Sequence, residues 1–240
     1  MMMLSSLLFL SGFTATSLLL EAHKLSQKSS KHTYSGSCPQ VLGTKDFNLP
    51  DYISTPWWNI VASPFFWNFE KSICPSATYK LSQSHEGLVD IFNSGLINDT
   101  YNHGVRYTSK GLGKVSNEKD GTLSVIFYDQ EPRDDMDNYI VFKTDNKSYS
   151  YVWTCRQVKN RSPRALSDSN SNRPNKEGSY RPILWILHKN GQMSDGDKKK
   201  EVNTAIDMLK NKFNWDQAEE FRESMEYLQT KDCPEVPYFE

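Results

Sequence analysis

Between residues 57 and 188 the large apolar side chains come in short runs, each interrupted by Asp, Asn, Gly or charged residues, and no regular helical period links them. Short runs with turn chemistry between them are the mark of consecutive antiparallel strands. We expect strands over 57–62, 77–81, 88–92, 105–107, 123–128, 139–143, 149–155 and 183–188. The run from Thr122 to Phe127 puts Leu123, Val125 and Phe127 on one face, because side chains alternate along a strand, and that face is the expected interior. His85-Glu86-Gly87, Lys119-Asp120-Gly121 and Thr144-Asp145-Asn146-Lys147 are turn sequences that make consecutive strands hairpin neighbours. About eight such strands suit an all-β, eight-stranded up-and-down antiparallel barrel, which removes its edges by closing on itself.

The period changes beyond residue 198. Val202, Ile206, Leu209 and Phe213 form one stripe opposite Lys199, Lys200, Lys210 and Lys212, which predicts an amphipathic C-terminal α-helix packed outside the barrel. A second helical stretch is expected over 215–228, with Asp216, Glu219 and Glu220 near its start, where the helix dipole favours acids. Two polar segments break the pattern. Residues 23–45 read as a flexible leader tethered at Cys38, and 159–181, rich in Ser, Asn, Arg and Pro, as a flexible insertion between the last two strands. The folded domain is expected over 46–233, followed by a tail at 234–240.

Residues 4–20 carry no charge, so 1–22 reads as a signal peptide, and secretion is the expected route. The four cysteines, Cys38, Cys74, Cys155 and Cys233, show no CxxC spacing and point to two disulfides rather than a zinc or redox site. Sequons at Asn98, Asn146 and Asn160 are candidate glycan acceptors. A net charge of −1 supplies no field for a nucleic-acid backbone. His23, His32, His85, His103 and His188 are scattered without metal-ligand spacing, and no Gly-x-Ser-x-Gly elbow appears. Neither a metal, a cofactor nor an enzymatic role is expected. Aromatic residues make up 12% of the chain against a mean hydropathy of −0.66, which concentrates rings in a few buried elements.

Several stretches in order carry a resemblance. Phe47-Asn48-Leu49-Pro50-Asp51-Tyr52 leads into Trp57-Trp58-Asn59-Ile60; Cys74-Pro75-Ser76-Ala77-Thr78-Tyr79 and Glu86-Gly87-Leu88-Val89-Asp90-Ile91-Phe92-Asn93 follow. Tyr139-Ile140-Val141-Phe142-Lys143-Thr144-Asp145 and Ile183-Leu184-Trp185-Ile186-Leu187-His188-Lys189-Asn190 then precede the helix. The chain thus resembles the lipocalins, and most closely their apolipoprotein D-like branch. That resemblance implies disulfides Cys38 to Cys155 and Cys74 to Cys233. It departs from the family in lacking a glycine before Trp57 and in placing Lys189 where the family's arginine stacks on that tryptophan. A lysine still makes a cation–π contact there, without the arginine's planar fork.

The resemblance implies a secreted carrier, monomeric or weakly associated, that transports or sequesters a retinoid, carotenoid, sterol, fatty acid or tetrapyrrole in the barrel. Tyr79, Val125, Phe127, Tyr139 and Trp185 are the candidate ligand-binding residues, and Trp57 with Lys189 the structural pair of the closed end. The aromatic loop from Phe65 to Phe69 is a candidate for peripheral membrane contact. Two alternatives stand beside the carrier: a lipocalin-fold enzyme of isomerase or de-epoxidase type, and a secreted protein-interaction module.

Overall fold

The computed structural model describes residues 33–63, 72–97, 104–117, 120–128, 139–158 and 178–234. Its strands are β1 (Tyr34–Ser35), β2 (Trp57–Ala62), β3 (Ser72–Leu81), β4 (Leu88–Ile97), β5 (Arg106–Asn117), β6 (Thr122–Phe127), β7 (Tyr139–Thr144), β8 (Tyr149–Val158), β9 (Ser179–His188) and β10 (Glu226–Tyr227). The helices are α1 (Leu49–Ile53), α2 (Asp195–Asn211) and α3 (Ala218–Arg222). Strands β2 to β9 pair antiparallel with their sequence neighbours, and β9 returns to β2 through Trp58↔His188 and Asn59↔Leu187. The result is the expected closed eight-stranded up-and-down barrel with a helix packed outside.

Five strands, β3, β4, β5, β8 and β9, run at least three residues longer than their sequence patterns, and for β3 and β5 the chain shows why. In β3 the chain passes through Cys74 at φ 58 and Pro75, and the register with β4 shifts between Ile73 and Ser76. A bulge of this kind admits a proline and hides the strand's start from a period-two reading. In β5 the inner positions include Gly111 and Gly113, which carry no apolar signal. A Cβ on Gly113 would approach Ile91 Cδ1 to 3.1 Å and meet Leu123 and Val125 at 3.7 Å, so neighbouring strands fill the space that the glycine leaves.

Two cores result. The outer one lies between the sheet and the C-terminal helices, where Phe142, Tyr151, Trp153, Leu184 and Ile186 meet Val202, Ala205, Ile206 and Leu209 of α2. Ser194 caps α2 by accepting from Asp197 N at 3.1 Å, and acids occupy the first turn. The inner core fills the barrel at the Trp57 end.

Three expectations need correction. The described part of the leader, from Thr33 to Lys45, is packed: Tyr34 pairs with Tyr180, Val41 is 5% exposed, and Thr44 N donates to Val141 O at 2.8 Å. A Cβ on Gly43 would collide with the Asp120 carbonyl, so only glycine lets this strap lie so close. At the other polar segment, Gly178 N-terminal to β9 already accepts from Gly36 N at 2.6 Å, and Ser179–Arg181 belongs to the strand rather than to an insertion. The stretch 215–228 is not one helix: Asn214 turns the chain at φ 52, α3 covers only Ala218–Arg222, and β10 follows.

That last segment has a structural task. Described pairing between β2 and β3 is confined to Trp57↔Ala77 and Trp58↔Ser76. Where the two strands part, β10 pairs with Val61 and Ala62, Leu228 N donates to Ile60 O at 3.0 Å, and Cys74 N donates to Gln229 O at 2.7 Å. The tail therefore bridges the seam, and the buried Lys198 of α2 donates from Nζ to Leu228 O at 2.6 Å to hold it. Among the described residues no helix is long and apolar enough to cross a membrane.

Candidate functional site

Asn48 begins the closed end by accepting from Asp51 N at 3.0 Å, which caps α1 and turns Tyr52 inward. Tyr52 O accepts from Trp57 Nε1 at 2.8 Å, and the two rings lie 4.9 Å apart. Phe47 packs on the other side of Tyr52 at 5.1 Å. Lys189 Nζ sits 4.8 Å over the Trp57 ring, the contact expected of a lysine at this position. Burial pushes the Lys189 ammonium down from its ordinary pKa, opposed by the charges of Asp145 and Asp51.

The Asp145 turn braces this end. Asp145 Oδ1 accepts from the backbone N–H groups of Lys147, Ser148 and Tyr149 at 2.9, 2.7 and 3.1 Å. Burial alone would raise its pKa, but these bonds outweigh it and hold the carboxyl at about 2. Next to it, Asn146 is 8% exposed at φ 62; its Oδ1 accepts from Asn48 N at 2.9 Å and its Nδ2 donates to Asp46 O at 2.6 Å. Both amide atoms of Asn146, a sequon residue, are thus engaged in bracing the closed end. Asn98 and Asn160 lie outside the described residues, as does the loop from Phe65 to Phe69.

All five candidate ligand-binding residues fall in the inner cluster. Tyr79 and Val125 are buried within it, while Phe127, Tyr139 and Trp185 are half-buried at its margin. Tyr139 and Trp185 stack with ring centroids 6.3 Å apart. Above them, the unbroken registers of β4 with β5 and of β8 with β9 place Asn93, Ser109, Thr154 and Ile183 on the same inner face, so the lining turns more polar away from Trp57. His188 lies on the outer face and engages its own turn, with Asn190 N donating to Nδ1 at 2.9 Å.

A hydroxyl network that the sequence does not disclose runs through the cluster. Tyr139 OH lies 2.9 Å from both Tyr52 OH and Tyr79 OH, and Ser150 Oγ donates to Tyr52 OH at 3.3 Å. Burial raises all three phenol pKa values, that of Tyr52 to about 12, so the cluster is neutral and donates protons at ordinary pH. Tyr52 and Ser150 were not anticipated, because one stands in a short helical turn and the other is a small polar residue between two tyrosines. Leu228 is a further addition, packed with Ala62 against Trp185 through the C-terminal bridge.

The disulfides join Cys38 to Cys155 and Cys74 to Cys233, as the resemblance implied, and among the described residues no cysteine is free. Among those residues no three His, Cys, Asp or Glu side chains gather to hold a metal. A groove of about 240 Å³ lies between the α1–β2 turn and β3, lined by Ile53, Pro56, Thr78, Tyr79 and Lys80 among others. Its lining is mixed in polarity, and it shares Tyr79 and Ile53 with the inner cluster.

No family model matches the sequence, and no curated protein matches it. Solved structures do. Insecticyanin from the tobacco hornworm Manduca sexta aligns over 84% of this chain and 90% of its own, with a TM-score of 0.54 and 19% identity. Lobster apocrustacyanin A1 aligns over 84% and 92%, with a TM-score of 0.55 and 14% identity. Apocrustacyanin C1 aligns over 85% and 94%, with a TM-score of 0.54 and 15% identity. At such identities the likeness is one of architecture, and it agrees with the strand order, the barrel closure and the external helix: the chain has the lipocalin fold.

Proposed function

We propose that the protein is a secreted lipocalin of the apolipoprotein D-like kind that binds and carries or sequesters a small hydrophobic molecule inside its barrel. The observation that carries this reading is the half-buried trio of Phe127, Tyr139 and Trp185, which stands on a floor of buried side chains at the Trp57 end. Rings that stay partly uncovered above a packed floor offer an apolar wall, and transfer of a ligand onto it is worth roughly 25 cal/mol per Å² of apolar surface. Rigid barrel walls limit the entropy cost of binding. The candidate cargo is a retinoid, carotenoid, sterol, fatty acid or tetrapyrrole. Two disulfides and the uncharged stretch at 4–20 support secretion. The carrier is favoured over an isomerase or de-epoxidase because the cysteines are paired and the inner titratable groups are neutral phenols.

The test is a titration of tryptophan fluorescence with retinol, a fatty acid and haem in the wild type, Trp185→Ala and Trp57→Ala. Trp185→Ala is expected to weaken binding more than Trp57→Ala, while Trp57→Ala lowers thermal stability more. The reverse ranking would contradict the placement of the two rings.

A further inference from the structure

Charge is unevenly placed on the barrel wall. Among the described residues, strands β2 to β9 carry a single carboxylate, Asp90, which lies on the outer face between the inner Val89 and Ile91 and opposite Lys80. Lys110 stands outside over the ring of Phe92, and Arg106 donates from Nη1 to Ser94 Oγ at 2.8 Å on the same outer side. Lys114 and Lys143 also face out, opposite Ser124 and the outer-core Tyr151. Two charged residues of the described barrel strands remain, and both face in. Cys155 and Tyr180 belong to the outer core, so the unbroken register of β8 with β9 turns Arg156 and Arg181 to the inner face, directly opposite each other.

The same register sets their depth. The pair Val152↔Trp185 is followed by Thr154↔Ile183 and then by Arg156↔Arg181. At about 3.3 Å per residue, the arginine layer stands about 13 Å along the strand from the Trp185 layer. Val152 is buried, Ile183, Trp185 and Arg181 are half-buried and Arg156 is exposed, so the wall passes from dry to wet at the arginines. Residues directly opposite on one face of an antiparallel pair have Cβ atoms about 5 Å apart, which lets one acidic group reach both guanidiniums. Like charges so placed disfavour each other, and an anion between them is attracted by both. Each guanidinium carries five N–H donors, so an arginine engaged elsewhere still has donors for a ligand.

We propose that Arg156 and Arg181 form an anion-binding pair, at the end of the barrel away from Trp57, that holds the acidic head of a single-chain amphiphile whose apolar tail runs down the inner wall past Ile183 to Trp185. The proposal rests on the ligand-binding reading and sharpens it to a ligand class and an orientation. The head, a carboxylate or a phosphate, stays at the wet level of the wall, where a charge keeps much of its hydration. The methylenes beyond it gain the transfer energy of burial against Trp185 and Phe127. A neutral head gains no charge attraction from the pair, and a cationic head is repelled by it.

The experiment compares four probes with one dodecyl tail, dodecanoate, dodecyl phosphate, dodecanol and dodecyltrimethylammonium, each below its micelle concentration and at a pH where the acids are ionised, by displacement of the uncharged dye N-phenyl-1-naphthylamine. The proteins are the wild type, Arg156→Gln, Arg181→Gln, the double variant and Lys110→Gln. The wild type is expected to bind both acids more tightly than the alcohol and the alcohol more tightly than the ammonium. That acid preference shrinks severalfold from low to high salt, a reading that needs no variant. The double variant should weaken the acids about tenfold and the alcohol less than about twofold, with each single variant between, as loss of charged hydrogen bonds requires. Lys110→Gln removes an exposed cation of the outer face and leaves the preference unchanged. Tighter binding of dodecanoate identifies the head as that of a fatty acid, and tighter binding of dodecyl phosphate as that of a phosphate monoester lipid. No acid preference in the wild type, equal losses of acid and alcohol in the double variant, or an equal loss of acid in Lys110→Gln overturns the anion site, while the carrier reading stands on the alcohol. Failure of every probe to displace the dye, or of the dye itself to bind, overturns both.

Discussion

The two cores of this barrel differ in kind. Outside, between sheet and helices, Phe142, Trp153, Leu184, Ile206, Leu209 and Phe221 are at most 1% exposed and pack with the buried Tyr34, Tyr151 and Tyr180. Inside, buried valines and leucine share the space with three phenols, a serine hydroxyl and rings that stay partly uncovered. The outer layer is closed over by the helices, and the inner one keeps the ring faces of Phe127, Tyr139 and Trp185 partly uncovered. Polar groups placed in a core are costly unless satisfied: the outer phenols Tyr151 and Tyr180 bond to Glu201 and Gln217 and so tie sheet to helical segment, whereas the inner phenols bond to one another.

Substitutions can break this contrast. Phe221→Ala in the outer core is expected to cost about 3–5 kcal/mol, the range for a fully buried phenylalanine, whereas the half-buried Phe127→Ala costs under about 2 kcal/mol. Urea unfolding checks both, and equal losses would erase the distinction. Replacing Cys74 and Cys233 by serine together is next, at about 2–5 kcal/mol, because it frees the tail that bridges the β2–β3 seam. The reading is the shift in denaturation midpoint, with loss of hydrogen-exchange protection at Leu228 and Cys74.

Smaller effects sharpen the description of the closed end. Lys189→Met removes the charge over Trp57 and should cost roughly 0.5–2 kcal/mol, while Lys189→Arg should be neutral or better. Asp145 carries the pH dependence. Its folded pKa of about 2 lies below the ordinary 3.8, so its contribution to stability is complete above about pH 4 and is lost as the pH falls from there to 2. Asp145→Asn is expected to flatten the acid limb of a thermal-stability profile within that window and to lower stability at neutral pH, with the difference from the wild type vanishing near pH 2.

Much of this was legible in the chain. Short apolar runs between turn sequences located each barrel strand at least in part, and several show their faces by period-two alternation, as in Leu123, Val125 and Phe127. The amphipathic stripe of α2 was equally plain, although the helix begins three residues earlier, at Asp195. What escaped has specific causes. The middle of β5 is lined by Gly111 and Gly113, whose interior is supplied by other strands. The strap from Thr33 to Lys45 is held by isolated anchors, Tyr34, Cys38 and Val41, which make no periodic pattern. The strand β10 exists only because β2 and β3 diverge, a long-range fact. The five ligand-lining candidates do gather in one inner cluster, yet their hydroxyl chain depends on Tyr52 and Ser150, which come together only through the fold.

The most direct test of the central claim is native mass spectrometry with an absorption spectrum, on protein purified from its natural source or a eukaryotic secretion host. The account predicts one apolar molecule retained per chain, released on unfolding, with visible absorbance when it is a carotenoid or tetrapyrrole. A clean mass of the polypeptide alone, together with no tryptophan quenching by retinoids, fatty acids or haem, would contradict it.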